Sequence, residues 1–395
     1  MLLDNLLEKY DGTKMMIESC IETVLKYEKI VIWGAGVGGG TLYCLLKKNG
    51  LENRIVAWGD GNKLKHGTSY MNEKLHVLSL QDAVEVIGKT TGVIVASSAY
   101  NLIRDELIMS GVPKENIFLY NFAFMDLDYT DCEYIRDHIS DFERAYRRME
   151  DDKSKSVFCN ILNYKITKDE THLSKLQAYT DNEENQYFDN TIFDFVQDEC
   201  FLDIGAYIGD TFDAFKRMYK DGWLHYYGLE ADHKIYLELV TKVSSMEENE
   251  KCSIYNIAAW DEDTVLYFDS VAGSSTMKSD KGVEAIEAKP IDELIDERVS
   301  FIKMDIEGAE YKALVGLSET IKRNKPILAV CVYHKRDDYF KLTDYIENLL
   351  PGEYVYYMRQ YRYTPTETVC YAIPKNRRKA SDEDENCCCS ANETK

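Results

Sequence analysis

Two stretches of this chain share one pattern. Ile30–Gly40 reads I-V-I-W-G-A-G-V-G-G-G, and Phe201–Thr211 reads F-L-D-I-G-A-Y-I-G-D-T. Each is an apolar strand that breaks into a glycine-spaced turn and opens a helix. Glycine permits the left-handed turn and close backbone approach that such a junction needs. The helix behind it offers unpaired N–H groups. Two such junctions in 395 residues predict two α/β units, each a parallel sheet wound with helices.

The flanking sequence supports both units. After a helical segment over 2–27, strands are expected at 29–33, 54–58, 92–97 and 116–119, with helices after the glycine turn and over 78–87 and 100–109; the stretch after Trp58 reads as a long loop. Residues 125–184 turn polar and helical, a connector. Strands return near 199–204, 224–230, 252–257, 299–305 and 326–333, followed by a hairpin-like pair at 353–361 and 367–373 whose last strand is reversed. The division is therefore 1–124, a smaller Rossmann-like α/β domain; 125–184, the connector; 185–375, the second α/β domain; and 376–395, a polar tail with a disordered composition.

In an open α/β sheet, ligands lie beyond the carboxyl ends of the strands where strand order reverses. Asp203 closes the first strand of the second unit, with Gly205 and Gly209 in the turn and Asp210 and Thr211 opening the helix. Glu230 ends the next strand in Y-Y-G-L-E-A-D and can accept both hydroxyls of a ribose. An acid in place of the first glycine of G-x-G-x-x-G suits a methionine amino group better than a pyrophosphate.

F-L-D-I-G-A-Y-I-G-D-T, Y-G-L-E-A-D, N-I-A-A-W-D-E-D and F-I-K-M-D-I-E-G-A-E-Y-K-A-L, in this order, resemble the successive motifs of the FkbM family of methyltransferases over about 185–375. The D-x-E-G-x-E signature falls on Asp305, Glu307, Gly308 and Glu310. The resemblance implies a class I methyltransferase sheet and S-adenosyl-L-methionine as cofactor. Glu230 and Ala231 would lie at the ribose, and Asp203, Gly205, Ala206, Tyr207, Gly209, Asp210 and Thr211 around the methionine end. Asn256 and Ala258 would lie along the adenine. Tyr207 and Ala231 replace an asparagine and a proline frequent in the family.

Methyl transfer needs alignment, and a hydroxyl acceptor also needs a proton acceptor. The sheet edge delivers Asp305 from the fourth strand and His334 from the fifth, as base and orienting group. Asp305 could instead cap the helix near Ala309 or pair with Lys303, and His334 could be a surface residue. Alternating acids at 305 and 307 make no coordination cage, so no metal is expected. Gln186 and Tyr187 read either as a lid or as an ordinary connection.

The first loop fits G-x-G-x-x-G as Gly34, Gly36 and Gly39, with Asp60 placed for a ribose. Its surroundings resemble small nucleotide-sugar-binding domains beside sugar-modifying transferases. A nucleotide-sugar site and a scaffold used for dimerisation both remain open. Net charge is −22, from 69 acids and 47 bases, which disfavours nucleic acid as a partner. A small-molecule or glycan substrate fits better. No apolar run is long enough to span a membrane, and the acidic N-terminus is unlike a signal peptide, so a soluble cytoplasmic chain is expected. The eleven cysteines include no C-x-x-C pair, and Cys387–Cys389 lie in the tail. The leading expectation is O-methylation of a sugar or other hydroxylated metabolite. The rivals are an NAD-dependent sugar oxidoreductase or epimerase, which would need a Y-x-x-x-K motif with a placed serine after the first loop and lacks that support, and a nucleotide-sensing regulatory protein.

Overall fold

The computed structural model describes residues 12–97, 100–120, 132–167, 169, 171–177, 186–220, 222–271, 274–277, 284–361 and 366–379. They fall into two compact units, one within Leu3–Asp137 with Lys165–Asp169, the other within His138–Tyr164 and Glu170–Lys395. The Cys387–Cys389 run and most of the polar tail lie outside the described residues. Among the described residues, no helix is long and apolar enough to cross a membrane.

The first unit is built on β1 (Lys29–Trp33), β2 (Ile55–Gly59), β3 (Ser69–Tyr70), β4 (Asn72–Leu78), β5 (Thr91–Val95) and β6 (Ile117–Leu119). Their order is β3-β4-β2-β1-β5-β6, parallel except for β3 against β4. All five residues of β5, T-G-V-I-V, are buried, as a strand covered on both faces requires. The stretch expected to be a loop after β2 thus holds two strands. Most side chains in the first half of β4 face solvent, so the apolar alternation that marks a strand is weak there.

The second unit holds β7 (Glu199–Ile204), β8 (Trp223–Leu229), β9 (Cys252–Tyr255), β10 (Ala258–Ala259), β11 (Thr264–Val271), β12 (Ser274–Met277), β13 (Glu284–Lys289), β14 (Phe301–Met304), β15 (Ile327–Cys331), β16 (Tyr354–Gln360) and β17 (Thr368–Pro374). Seven of them form the main sheet, β16-β17-β15-β14-β7-β8-β9. The reversed strand β17 is antiparallel to both β15 and β16. Strand order turns back between β7 and β14, so the turn after β7 opens at the reversal, where this class of sheet binds ligands. The sequence did not foreshadow the separate small sheet β10-β13-β11-β12. Its strands are short or half exposed, as at Val265 and Tyr267.

Phe188, Phe201 and Phe301 pack beneath the main sheet with ring centroids 5.3–5.7 Å apart. Tyr187 belongs to this core, 7% exposed, rather than to a lid. At the other end of the sheet Arg359, 2% exposed, pairs with Asp151 at 2.6 Å and Asp189 at 3.2 Å. It also donates to the Ser154 hydroxyl and the Met358 carbonyl.

Removing one partner of a buried ion network leaves charge without compensation and costs about 3–5 kcal/mol. Arg359→Ala is expected to lower the stability of this unit by that amount in urea unfolding followed by tyrosine and tryptophan fluorescence. A loss below 1 kcal/mol would show that water solvates the two carboxylates.

Candidate functional site at the carboxyl edge of the main sheet

Lys303 and Asp203 stand directly opposite each other on the parallel strands β14 and β7. Both side chains are buried and form an ion pair at 3.1 Å. Asp203 also accepts from the Tyr226 hydroxyl, and Lys303 donates to the Gly205 carbonyl at 2.5 Å. Burial alone would discharge Lys303, but the Asp203 and Asp305 charges outweigh it and raise its pKa. The charge of Asp203 is thus met within the protein. Lys303 does not pair with Asp305.

The turn that follows is shaped by the protein's own backbone. Gly205 has φ +80°, and a Cβ there would stand 2.0 Å from the Asp305 carbonyl oxygen. No other residue lets β7 and β14 end side by side. Ala206 is buried and donates its N–H to the Leu229 carbonyl. Tyr207, at φ +47°, and Ile208 expose apolar surface, 51% and 38%. Gly209, at φ +76°, precedes the helix Asp210–Tyr219, whose Thr211 is buried.

Glu230 ends β8 beside this turn, 9% exposed. One carboxylate oxygen accepts from the Tyr207 N–H at 2.9 Å, the other from the Asp232 N–H at 2.8 Å. Burial raises its pKa, and these two bonds oppose the rise. A carboxylate has about four lone-pair sites, so each oxygen can still accept one hydroxyl. Asn256 donates to the Glu230 and Ala231 carbonyls and pairs through its oxygen with His233. Its amide therefore braces the loop under Glu230. Ala258 lies in the edge strand β10.

Asp305 follows β14 and His334 follows β15 by three residues. Tyr187 donates to Asp305 Oδ2 at 3.0 Å, and Tyr333 lies 3.5 Å from Oδ1. The helix beyond starts at Glu310 without a side-chain cap, so Asp305 does not cap it. The His334 side chain is 8% exposed, so the residue is not a surface one. Its Nδ1 lies 2.8 Å from Glu310 Oε1, its Nε2 3.5 Å from Asp305 and 3.7 Å from Glu307. Burial disfavours the imidazolium, but Glu310, Asp305 and Glu307 outweigh it and push His334 up to about 9, not the ordinary value near 6.5. Asp305, Glu310 and His334 could together hold a metal ion, a grouping the sequence reading did not foresee. The D-x-E-G-x-E spacing contained the signal, but Glu310 was read only as a motif residue.

The first unit repeats the arrangement with one difference. Asp60, ending β2, accepts from the Ala35 N–H at 2.9 Å, as Glu230 does from Tyr207. Asp60 is also paired with Lys65 at 3.0 Å, while Lys65 donates to the Ala35 carbonyl. Tyr70 donates to the Gly36 carbonyl. A Cβ on Gly34 would meet the Ala96 carbonyl at 2.7 Å, and one on Gly39 the Gly34 carbonyl at 2.0 Å.

The family model for the methyltransferase FkbM domain matches residues 203–365. The second unit carries that domain. Among solved structures, the chain is similar to a methyltransferase FkbM from Methylobacillus flagellatus KT, with 19% identity and a TM-score of 0.59 over 91% of this chain and 97% of that one. At that identity the likeness speaks for the fold alone. An rRNA methylase from Streptococcus thermophilus (12% identity, 45% of this chain, 89% of that one, TM-score 0.29) is much more distant. So is a precorrin-6y C5,15-methyltransferase from Geobacter metallireducens GS-15 (12%, 45% and 80%, 0.28). No curated protein matches the chain in sequence.

If Lys303 and Asp203 hold β14 to β7 by their charges, their substitutions will not add. Lys303→Met should destabilise this unit far more in the wild type than in an Asp203→Asn background. The double-mutant cycle should give a coupling of about 1–3 kcal/mol, measured by urea unfolding. Simple additivity would remove the pair from the FkbM domain's framework.

Proposed function

We propose that the FkbM domain binds S-adenosyl-L-methionine along the turn after β7 and methylates a hydroxyl of a sugar or other small hydroxylated molecule. The observation that carries this reading is Glu230. It is fixed by two backbone N–H groups and forms no ion pair among the described residues, so each oxygen keeps a lone pair for a ribose hydroxyl. Exposed Tyr207 and Ile208 supply apolar surface beside it for the rest of a nucleoside. Asp60 differs in being matched by Lys65. We therefore read the first glycine turn as closed on itself and its unit as a scaffold, in preference to a nucleotide-sugar site or a redox domain.

When bound, the cofactor would supply an electrophilic methyl group whose transfer leaves a neutral thioether. The chain's part is to hold and orient. Glu230 accepts the ribose hydroxyls, and Asp305 takes the acceptor hydroxyl's proton. Asp305 is favoured over His334 by exposure, with side chains 24% and 8% accessible. Tyr187 and Tyr333 fix the orientation of its two oxygens. The acidity of the chain, −22, supports a small acceptor over a nucleic acid.

Calorimetry with S-adenosylmethionine tests the cofactor half. Glu230→Ala should weaken binding by about 2–3 kcal/mol, the worth of hydrogen bonds to a charged group, and Glu230→Gln by less. Unchanged affinity in both would remove Glu230 from the ribose.

The chemical half is tested with labelled methyl groups and a panel of monosaccharides and nucleotide-linked sugars. Asp305→Asn should slow transfer by about 10²–10⁴ while leaving cofactor affinity in place. A full rate would leave alignment alone as the source of catalysis.

A further inference from the structure

We propose that Asp305, Glu307 and His334 form a binding site for a divalent cation, with Glu310 as the residue that positions the histidine. Three observations carry it.

The first is a buried nitrogen with nothing to bond. His334 has a side chain 8% exposed, and its Nε2 has no hydrogen-bond partner among the described residues. The second is what the other ring nitrogen does. Nδ1 lies 2.8 Å from Glu310 Oε1, and Glu310 is fully buried with the same oxygen accepting the Ile306 N–H. A histidine that gives its Nδ1–H to a buried carboxylate can bind a metal ion only through the opposite nitrogen, where the ion takes the place of the proton that Nε2 otherwise carries. Metal-binding histidines are oriented in this way.

The third is the spacing around that lone pair. Asp305 Oδ1 is 3.5 Å from Nε2 and Glu307 Oε2 is 3.7 Å from it. Donors about 2.1 Å from an ion in a tetrahedral arrangement lie about 3.4 Å apart. The nearby cation Lys303 is directed to Asp203 and the Gly205 carbonyl and leaves this position open. The chain geometry explains how two acids so close in sequence can share one ion. Glu307 at φ +55° and Gly308 at φ +97° turn the backbone sharply after β14, and Glu307 swings to the solvent side of the histidine.

Two carboxylates and one imidazole form a mixed oxygen–nitrogen set, suited to Mn²⁺ or Zn²⁺ better than to the all-oxygen preference of Ca²⁺. An ion there would have solvent-facing positions for an acceptor hydroxyl and would favour loss of its proton, relieving Asp305 of that task. This use rests on the methyl-transfer reading above. Occupancy of the site does not, and it is measured without S-adenosylmethionine.

The test titrates Mn²⁺ into the full chain after chelator treatment and follows loss of the free-ion signal by electron paramagnetic resonance. One Mn²⁺ per chain is expected. Affinity should fall at least about tenfold in His334→Gln and in Glu307→Gln, and about 10–100-fold in Glu310→Gln. It should be unchanged in Glu262→Gln, a surface acid outside the cluster. Glu307 has a side chain 57% exposed, so its variant reports on binding even if a buried substitution impairs folding. Absence of Mn²⁺ binding to the wild type, or equal affinity in both His334→Gln and Glu307→Gln, would overturn the site.

Discussion

The ion pair between Asp203 and Lys303 joins everything at the carboxyl edge of the main sheet. It exists because parallel register sets the two residues opposite one another, and burial makes each dependent on the other. Lys303 also fastens the Gly205 carbonyl, the first residue of the turn, while Gly205 admits the Asp305 carbonyl against its own backbone. One pair thus fixes the relative position of the turn beside Glu230 and the strand end that carries Asp305. The proposed cofactor side and the proposed chemical side of the site share this anchor.

The two units solve one structural problem twice. A glycine turn after a first strand must be held, and an acid at the end of the second strand holds it through a backbone N–H, Asp60 to Ala35 and Glu230 to Tyr207. The sequence alone could not rank the two loops, because both offer glycines and an acid at similar spacing. A cation decides between them. Lys65 sits on Asp60 and completes that network internally, whereas among the described residues both Glu230 oxygens are held by N–H donors only. Lys65 was legible as a residue but not as a partner, because the segment that carries it read as featureless loop.

Much of the second sheet could be read in advance. β7 is a run of buried residues, and β15 is likewise buried throughout; central parallel strands have this character. The small sheet β10-β13-β11-β12 and the strand β4 were missed for the opposite reason, since their exposed faces break the apolar pattern. At the candidate site, the positions of Asp305, His334 and Glu230 just past strand ends were legible in the sequence. The partners that give them chemistry were not. Glu310 turning His334, Tyr187 bonding Asp305 and Lys303 choosing Asp203 over Asp305 all depend on where separate segments meet.

The buried Arg359 bears on where this domain begins. Recognition by family pattern starts at residue 203, yet the carboxylates that match Arg359 are Asp151 and Asp189, and Tyr187 and Phe188 lie in the same core. A chain cut at residue 203 would keep the D-x-E-G-x-E signature and still bury an unmatched guanidinium under an incomplete aromatic layer. The boundary of shared ancestry and the boundary of mechanical self-sufficiency are different lines on this chain, and the second lies ahead of Asp151.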